Sequence, residues 1–454
     1  MRSLSLSELE MPLRGHLVGA DVSFTRVSTD SRSVKGGDLF VALAGERFDA
    51  HEFVSDVEQA GAAAAVLSRD VDCALPHLRV ADTEEALGRL GAVNRDQFDG
   101  PLIGITGSSG KTTVKNLVAG VLSQRGETLA TEGNLNNEIG VPLTLLRLAP
   151  TTRFAVVEMG AGKPGDIAWL REIGKPTVSM VLNVMPAHLE RMGSIEAIAD
   201  TKGAIYDDLG SNGIAIINRD ERWADEWQRR AGPAQVIDFA LQGDAAVTAK
   251  NIRLEDAAGL TFEAVTPAGA FAVRLNLPGA HNVANALAAI ATGLACELSV
   301  DEIVAGLASV EPVSGRLSVR AGTGGVQVID DCYNANPGSV KAAIELLAAC
   351  NGRRVLLLGA MRELGPDSER LHREIGAHAA KAGLDALWGV GDELASTVEA
   401  FGEAGRWFGD HAAALEAISE LCNSDTTVLV KGSRGARMEL LLPALLGENG
   451  DASC

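Results

Sequence analysis

From Leu102 onward, short and almost uninterrupted apolar runs alternate with longer amphipathic stretches, and polar or glycine-rich residues follow directly after the runs. The runs at residues 102–106, 154–158, 177–183 and 213–218 predict strands. A strand that is apolar on both faces must be covered on both, as in a parallel sheet flanked by helices. The same rhythm returns after Glu311-Pro312, with strands predicted at 325–330, 354–358, 386–390 and 426–430. Between the two blocks, 236–277 reads as richer in strand, and a helix is expected from about His281 to Cys296. Ahead of them, shorter runs at 39–43, 63–67 and 78–80 alternate with helical stretches. The Asp-Gly-Pro at 99–101 cannot continue a helix, so 96–101 reads as a linker. A chain of 454 residues exceeds one ordinary core, and a prior of roughly 150 residues per domain gives about three. The expectation is an α/β chain with domains at 1–99, 100–312 and 313–454. The second is a parallel-sheet nucleotide domain and the third is Rossmann-like.

The formal net charge of −20 repels a long polyanion, which argues against nucleic acid and acidic membranes as partners. Small anions held by a few focused cations remain open. The six cysteines contain no CxxC pair, so reduced thiols are expected rather than zinc or a disulfide framework. The N-terminal stretch has no cationic segment leading into an apolar core, and no apolar run is long enough to cross a bilayer. A cytoplasmic, monomeric enzyme acting on small molecules is expected, without membrane insertion.

The strongest local signal is Thr106-Gly107-Ser108-Ser109-Gly110-Lys111-Thr112-Thr113, which lies between the first strand of the second block and its helix. Glycines let backbone N–H groups converge on phosphate, and the helix N-terminus adds partial positive charge. Lys111 would reach the terminal phosphates and Thr112 would offer a hydroxyl to Mg²⁺. The general phosphate-loop pattern needs a glycine where this chain has Ile105, which leaves a shorter form. Such a loop needs a metal-serving carboxylate, and Glu158 ends the neighbouring strand where one would stand. The alternatives are a plain strand-to-helix turn and a solvated terminal charge. His188 also follows a strand, and Lys202 sits on a helix that Ser194 is expected to cap.

Together these residues resemble the Mur ligase family, ATP-dependent amide-forming enzymes that build the peptide stem of bacterial peptidoglycan. The resemblance rests on the glycine loop, Glu158-Met159-Gly160, Asn183-Val184, Ala187-His188-Leu189 and Lys202. Pro278-Gly279-x-His281-Asn282-x-x-Asn285-Ala286 adds to it. It implies that the first domain binds a UDP-sugar through Ser31 and Arg32, in a segment that residue types alone would read as a simple turn. It implies that His188 and a carbamylated Lys202 join Thr112 and Glu158 around Mg²⁺. It also implies that Asn282 touches ATP, where helix capping explains the residue type equally well. Arg316, after a hinge, would close over phosphate, and Asp331 would reach the ribose or a Lys/Arg network. Asp330-Asp331-Cys332-Tyr333-Asn334-Ala335-Asn336-Pro337 resembles the signature of members that add D-alanyl-D-alanine to UDP-N-acetylmuramoyl-tripeptide through an acyl phosphate, releasing ADP and phosphate. Tyr333, Asn334, Asn336, Lys431 and Arg434 would then face the dipeptide. The Asp-Asn-Pro-Arg motif of members that add the third residue is absent. Three places depart from the pattern: Asp49-Ala50-His51, Gly359-Ala360-Met361 and Lys202-Gly203-Ala204-Ile205. Another member of the superfamily, folylpolyglutamate synthetase included, and a nucleotide-driven switch remain the competing readings.

Overall fold

A computed structural model describes residues 1–45, 48–186, 189–255 and 259–448. Its centre is a six-stranded parallel sheet in the order Thr128–Ala130, Phe154–Glu158, Leu102–Thr106, Val178–Val181, Ile214–Asn218, Gln235–Phe239. Because successive side chains point to opposite faces, the apolar runs divide between two cores. Ile103, Ile105, Val156, Met180 and Ile216 face the helices Lys111–Leu122 and His281–Ala295. Leu102, Ala155, Val157, Val181 and Ile217 face Asp166–Gly174 and the helices after it. A three-stranded antiparallel sheet, Thr248–Glu255, Gly259–Thr266 and Gly269–Leu275, adds Leu260, Phe262 and Val273 to the first of these cores.

The C-terminal sheet is ordered Ser318–Ala321, Gln327–Asp331, Thr426–Lys431, Arg353–Gly359, Ala386–Val390, Gly405–Phe408. Only its first strand runs antiparallel. Helices Pro337–Ala348 and Ser368–Lys381 cover one face. The N-terminal sheet is ordered His16–Val18, His77–Arg79, Ala64–Leu67, Leu39–Val41, Val27–Ser28, and its first strand is likewise the antiparallel one.

Helix Thr83–Arg95 starts on Asp82, whose carboxylate accepts from Glu84 N and Glu85 N. Its last turn locks the first domain to the second. Asn94 Nδ2 donates to Leu145 O at 2.8 Å. The buried Arg95 donates to Gly174 O at 2.8 Å, Phe98 O at 2.6 Å and Lys175 O at 2.8 Å. Three carbonyls satisfy a guanidinium that burial would otherwise penalise.

The edge strands Thr128–Ala130, Ser318–Ala321 and Gly405–Phe408 were absent from the sequence reading. Each is half exposed along most of its length and lacks a continuous apolar run. No disulfide forms among the described residues, and none of their helices is long and apolar enough to cross a membrane.

Candidate active site

The phosphate loop leaves the carboxyl end of Leu102–Thr106 and enters helix Lys111–Leu122 through Gly110, at φ +79°. A side chain there would be strained by the backbone, and its Cβ would stand 2.8 Å from Asn285 Oδ1. The loop is fastened from the adjacent strand end. Asn183 Oδ1 accepts from Ser109 N at 2.9 Å, and Asn183 Nδ2 donates to Ser109 O at 3.1 Å. Ser108 Oγ donates to Met185 O at 3.1 Å and accepts from Met185 N at 2.9 Å. No side chain caps the helix, so its first N–H groups keep their capacity for an anion. Thr106 lies beneath, its buried hydroxyl without a partner among the described residues.

Two ammonium groups converge on one carbonyl: Lys111 Nζ donates to Gly107 O at 2.8 Å and Lys202 Nζ at 3.2 Å. Burial holds the Lys202 amine well below its ordinary range, and the charge of Lys111 pushes the same way. Burial also lowers Lys111, against the pull of Glu158. Ser194 caps the helix of Lys202 as expected, accepting from Ala197 N.

Glu158 is gripped on both oxygens. Thr112 Oγ1 donates to Oε2 at 2.9 Å and Asn136 Nδ2 donates to Oε1 at 2.7 Å. Its backbone N donates to Thr131 Oγ1 at 2.9 Å, while Lys115 Nζ donates to Thr131 O at 2.7 Å. His188 lies outside the described residues. Among those described, no group of three or more His, Cys, Asp or Glu side chains gathers into a metal site. The hydroxyl and carboxylate of Thr112 and Glu158 nevertheless form an all-oxygen pair of the kind that serves Mg²⁺, which keeps several waters and takes few protein ligands.

The opposite wall comes from the C-terminal domain. Tyr333 N donates to Gly315 O at 3.0 Å, which places the Tyr333 ring against Arg316, 4.0 Å from guanidinium carbon to ring centre. Lys431 Nζ pairs with the Asp331 carboxylate and donates to Asn334 O at 3.0 Å. Asn336 caps helix Pro337–Ala348, its Oδ1 accepting from Ser339 N at 2.8 Å, so half of its amide is already committed. Asn282 does not cap its helix. Its Nδ2 donates to Pro278 O at 2.7 Å and its Oδ1 accepts from Asn285 Nδ2 at 2.8 Å. His281 lies half-buried alongside, its pKa lowered to about 4 by desolvation and by the charge of Lys431.

These residues line one cavity of about 750 Å³ between the second and third domains. Gly107 through Thr113, Glu158, Lys202, Asn282, Arg316, Asp331, Tyr333, Asn334, Asn336 and Lys431 all border it. Arg434, expected beside Lys431, does not. The short turn Arg434–Ala436 carries it outward, where it is exposed and 3.7 Å from Glu439. Ser31 and Arg32 lie at a strand end of the first domain, outside the cavity, with Arg32 bonded to Asp30 of its own turn at 2.9 and 2.7 Å. Sequence reasoning gave no role to Asn136, Asn285 or Lys115. The signal for Asn136 was the asparagine-rich stretch Asn134-Leu135-Asn136-Asn137, which follows a strand that carries no continuous apolar run.

Three family models match the chain. Residues 23–94 match the Mur ligase family catalytic domain, 105–293 the Mur ligase middle domain, and 315–434 the Mur ligase glutamate ligase domain. A UDP-N-acetylmuramoyl-tripeptide--D-alanyl-D-alanine ligase of Escherichia coli (strain K12) is 44% identical over 453 residues, covering 99% of this chain and 100% of that protein. The chain belongs to the Mur ligase family. As a Mur ligase it is an ATP-dependent ligase, and its fold has solved counterparts. Crystal structure I of MurF from Acinetobacter baumannii aligns at a TM-score of 0.92 with 36% identity, covering 97% of this chain and 98% of that one. The Thermotoga maritima MurF ligase in complex with ADP aligns at 0.84 with 30% identity, covering 93% and 97%. A Mycobacterium tuberculosis folylpolyglutamate synthase complexed with ADP shares only the fold, at 19% identity and a TM-score of 0.65 over 80% of this chain and 93% of that one.

Proposed function

We propose that this Mur ligase joins D-alanyl-D-alanine to UDP-N-acetylmuramoyl-tripeptide at the expense of ATP, in the cytoplasm. The observation that carries this reading is the full-length similarity to a ligase of that name, matched by a cavity that brings the phosphate loop to the segment Tyr333–Asn336.

The tripeptide's terminal carboxylate oxygen attacks the γ-phosphorus, the bond to the β-phosphate oxygen breaks, and ADP leaves. The dipeptide amine then attacks the acyl carbon of the acyl phosphate, inorganic phosphate departs, and the amine gives up a proton. The loop N–H groups and Lys111 hold the phosphates in line, and Arg316 meets charge that develops on the transferring group. Mg²⁺, held by Thr112 and Glu158 with His188, would neutralise the phosphate oxygens.

The buried Lys202 amine is suited to take up CO₂, because the neutral form is the nucleophile and burial favours that form. The carbamate would place an anion beside Lys111. Asn282, linked to Asn285 beside Gly110, positions the nucleotide edge of the cavity. Asp331 and Lys431 pair at the base of the dipeptide wall, with Asn334 and Asn336 bordering it. Ser31 and Arg32 receive the UDP end of the substrate.

Phosphate release, measured with each substrate omitted in turn, tests the reading. It should require ATP, the UDP-tripeptide and D-alanyl-D-alanine together. Release that ignored the dipeptide would overturn it.

A further inference from the structure

Lys115 follows Lys111 by four residues and stands one turn further along the same helix. Unlike Lys111, it takes no part in the cavity wall, and its side chain is 5% exposed. The ammonium makes one hydrogen bond, 2.7 Å to the neutral carbonyl of Thr131, and no ion pair among the described residues. Glu158 and Glu132 act on it only across a distance. A charge removed from water for one neutral acceptor is a net cost, and an apolar side chain of similar length would pack there more cheaply.

What the ammonium secures is a segment with a specific task. Thr131 receives the backbone N–H of Glu158 on its hydroxyl at 2.9 Å. Five residues on, Asn136 donates to Glu158 Oε1 at 2.7 Å, and its carbonyl accepts from Gly160 N at 2.7 Å. One stretch of chain therefore grips the Glu158 strand end at its main chain, its carboxylate and the residues after it. The other carboxylate oxygen is held at 2.9 Å by Thr112, which belongs to the same helix as Lys115.

We propose that Lys115 is a positioning residue, which pins the 131–136 segment to the phosphate-loop helix so that Thr112 and Asn136 hold the two Glu158 oxygens in a fixed register. The proposal rests on the reading of Glu158 as the carboxylate that serves the nucleotide's metal ion. It accounts for a buried cation whose only partner among the described residues is a carbonyl. It also explains how a carboxylate on one strand stays aligned with a hydroxyl on a separate helix.

The test uses the full-length chain with Lys115→Met, Lys115→Arg and Glu158→Gln, and three measurements: thermal unfolding, ADP affinity by calorimetry in excess Mg²⁺ and in chelator, and steady-state kinetics. Lys115→Met is expected to unfold at or above the parent temperature and to bind ADP without metal as the parent does. Outer contacts of this kind typically contribute about tenfold or more to metal affinity or activity, so the Mg²⁺-dependent gain in ADP affinity and kcat should both fall by about that factor. KM for D-alanyl-D-alanine should not move, and Lys115→Arg should recover part of the loss. A folded Lys115→Met with the full Mg²⁺ gain would overturn the proposal, as would unfolding of both Lys115 variants, which would make the residue structural. Loss of the gain in Glu158→Gln with full gain in Lys115→Met would sink this proposal alone. Full gain in Glu158→Gln would remove the metal reading of Glu158 and the proposal with it.

Discussion

The Arg316 guanidinium lies 4.0 Å from the centre of the Tyr333 ring, and it makes no side-chain hydrogen bond or ion pair among the described residues. Its donors are thus left for the cavity, while the aromatic face sets its direction. A stacked guanidinium gains about 1 kcal/mol from such a contact, which is about fivefold in rate if it acts in the transition state. Tyr333→Leu should lower kcat by about that factor, and Tyr333→Phe should not. Steady-state kinetics with both variants checks this. A rise in the dipeptide KM for Tyr333→Phe would instead show that the hydroxyl contacts substrate.

Gly110→Ala should abolish useful nucleotide binding without unfolding the chain. The left-handed backbone costs an L-residue about 1–2 kcal/mol, and the new methyl would stand 2.8 Å from Asn285 Oδ1. The added strain falls on the loop that must wrap phosphate. Thermal stabilisation by ADP is the measurement; a variant stabilised as much as the parent would refute the assignment.

Lys202 should carry CO₂. Stripping CO₂ from enzyme and buffers should lower activity, and bicarbonate should restore it. Because burial favours the neutral amine, acidification, which favours the protonated one, should remove the modification reversibly. Isotopically labelled bicarbonate should give a carbamate carbon resonance that Lys202→Ala lacks. A resonance of equal intensity in both proteins would count against the site.

Glu221 supplies a stability prediction with a definite sign. Its Oε1 accepts from Val184 N at 3.2 Å, and burial raises its pKa from 4.5 to about 7. Between those values the folded chain binds more protons at this group than the unfolded chain does, so stability falls as pH rises. The contribution is complete below the unfolded value and is lost through the folded one. Glu221→Gln should flatten the stability profile over that window, as read by chemical denaturation at several pH values. An unchanged slope would show that the carboxyl is ionised throughout.

Strands at Leu102–Thr106, Phe154–Glu158 and Ala386–Val390 were legible because full burial on both faces leaves an uninterrupted apolar run. The half-exposed edges left no such mark. The phosphate loop was legible because its chemistry is contiguous in sequence. Asn136 and Lys115 were not, since each matters through a partner 22 or 16 residues away, and neither type announces such a partner. Asn282 shows the opposite failure. Its type and place at a helix start suggested a cap, yet the structure spends its amide on Pro278 and Asn285. Arg434 follows the same strand as Lys431, but it starts a separate three-residue turn and is exposed outside the cavity.

The strand Thr426–Lys431 is the last of its sheet in sequence, yet it lies between Gln327–Asp331 and Arg353–Gly359. The two earlier strands therefore cannot meet their final neighbour until every other strand of that sheet has been made. During synthesis the phosphate loop can form early, but Lys431, the buried partner of Asp331, arrives only with the last strand of that sheet. Chains cut short before that strand would lack the middle of a sheet rather than an edge of it. Premature termination should then give an unfolded third domain instead of a weakly active enzyme, and an ATP site that cannot fire before that strand is in place.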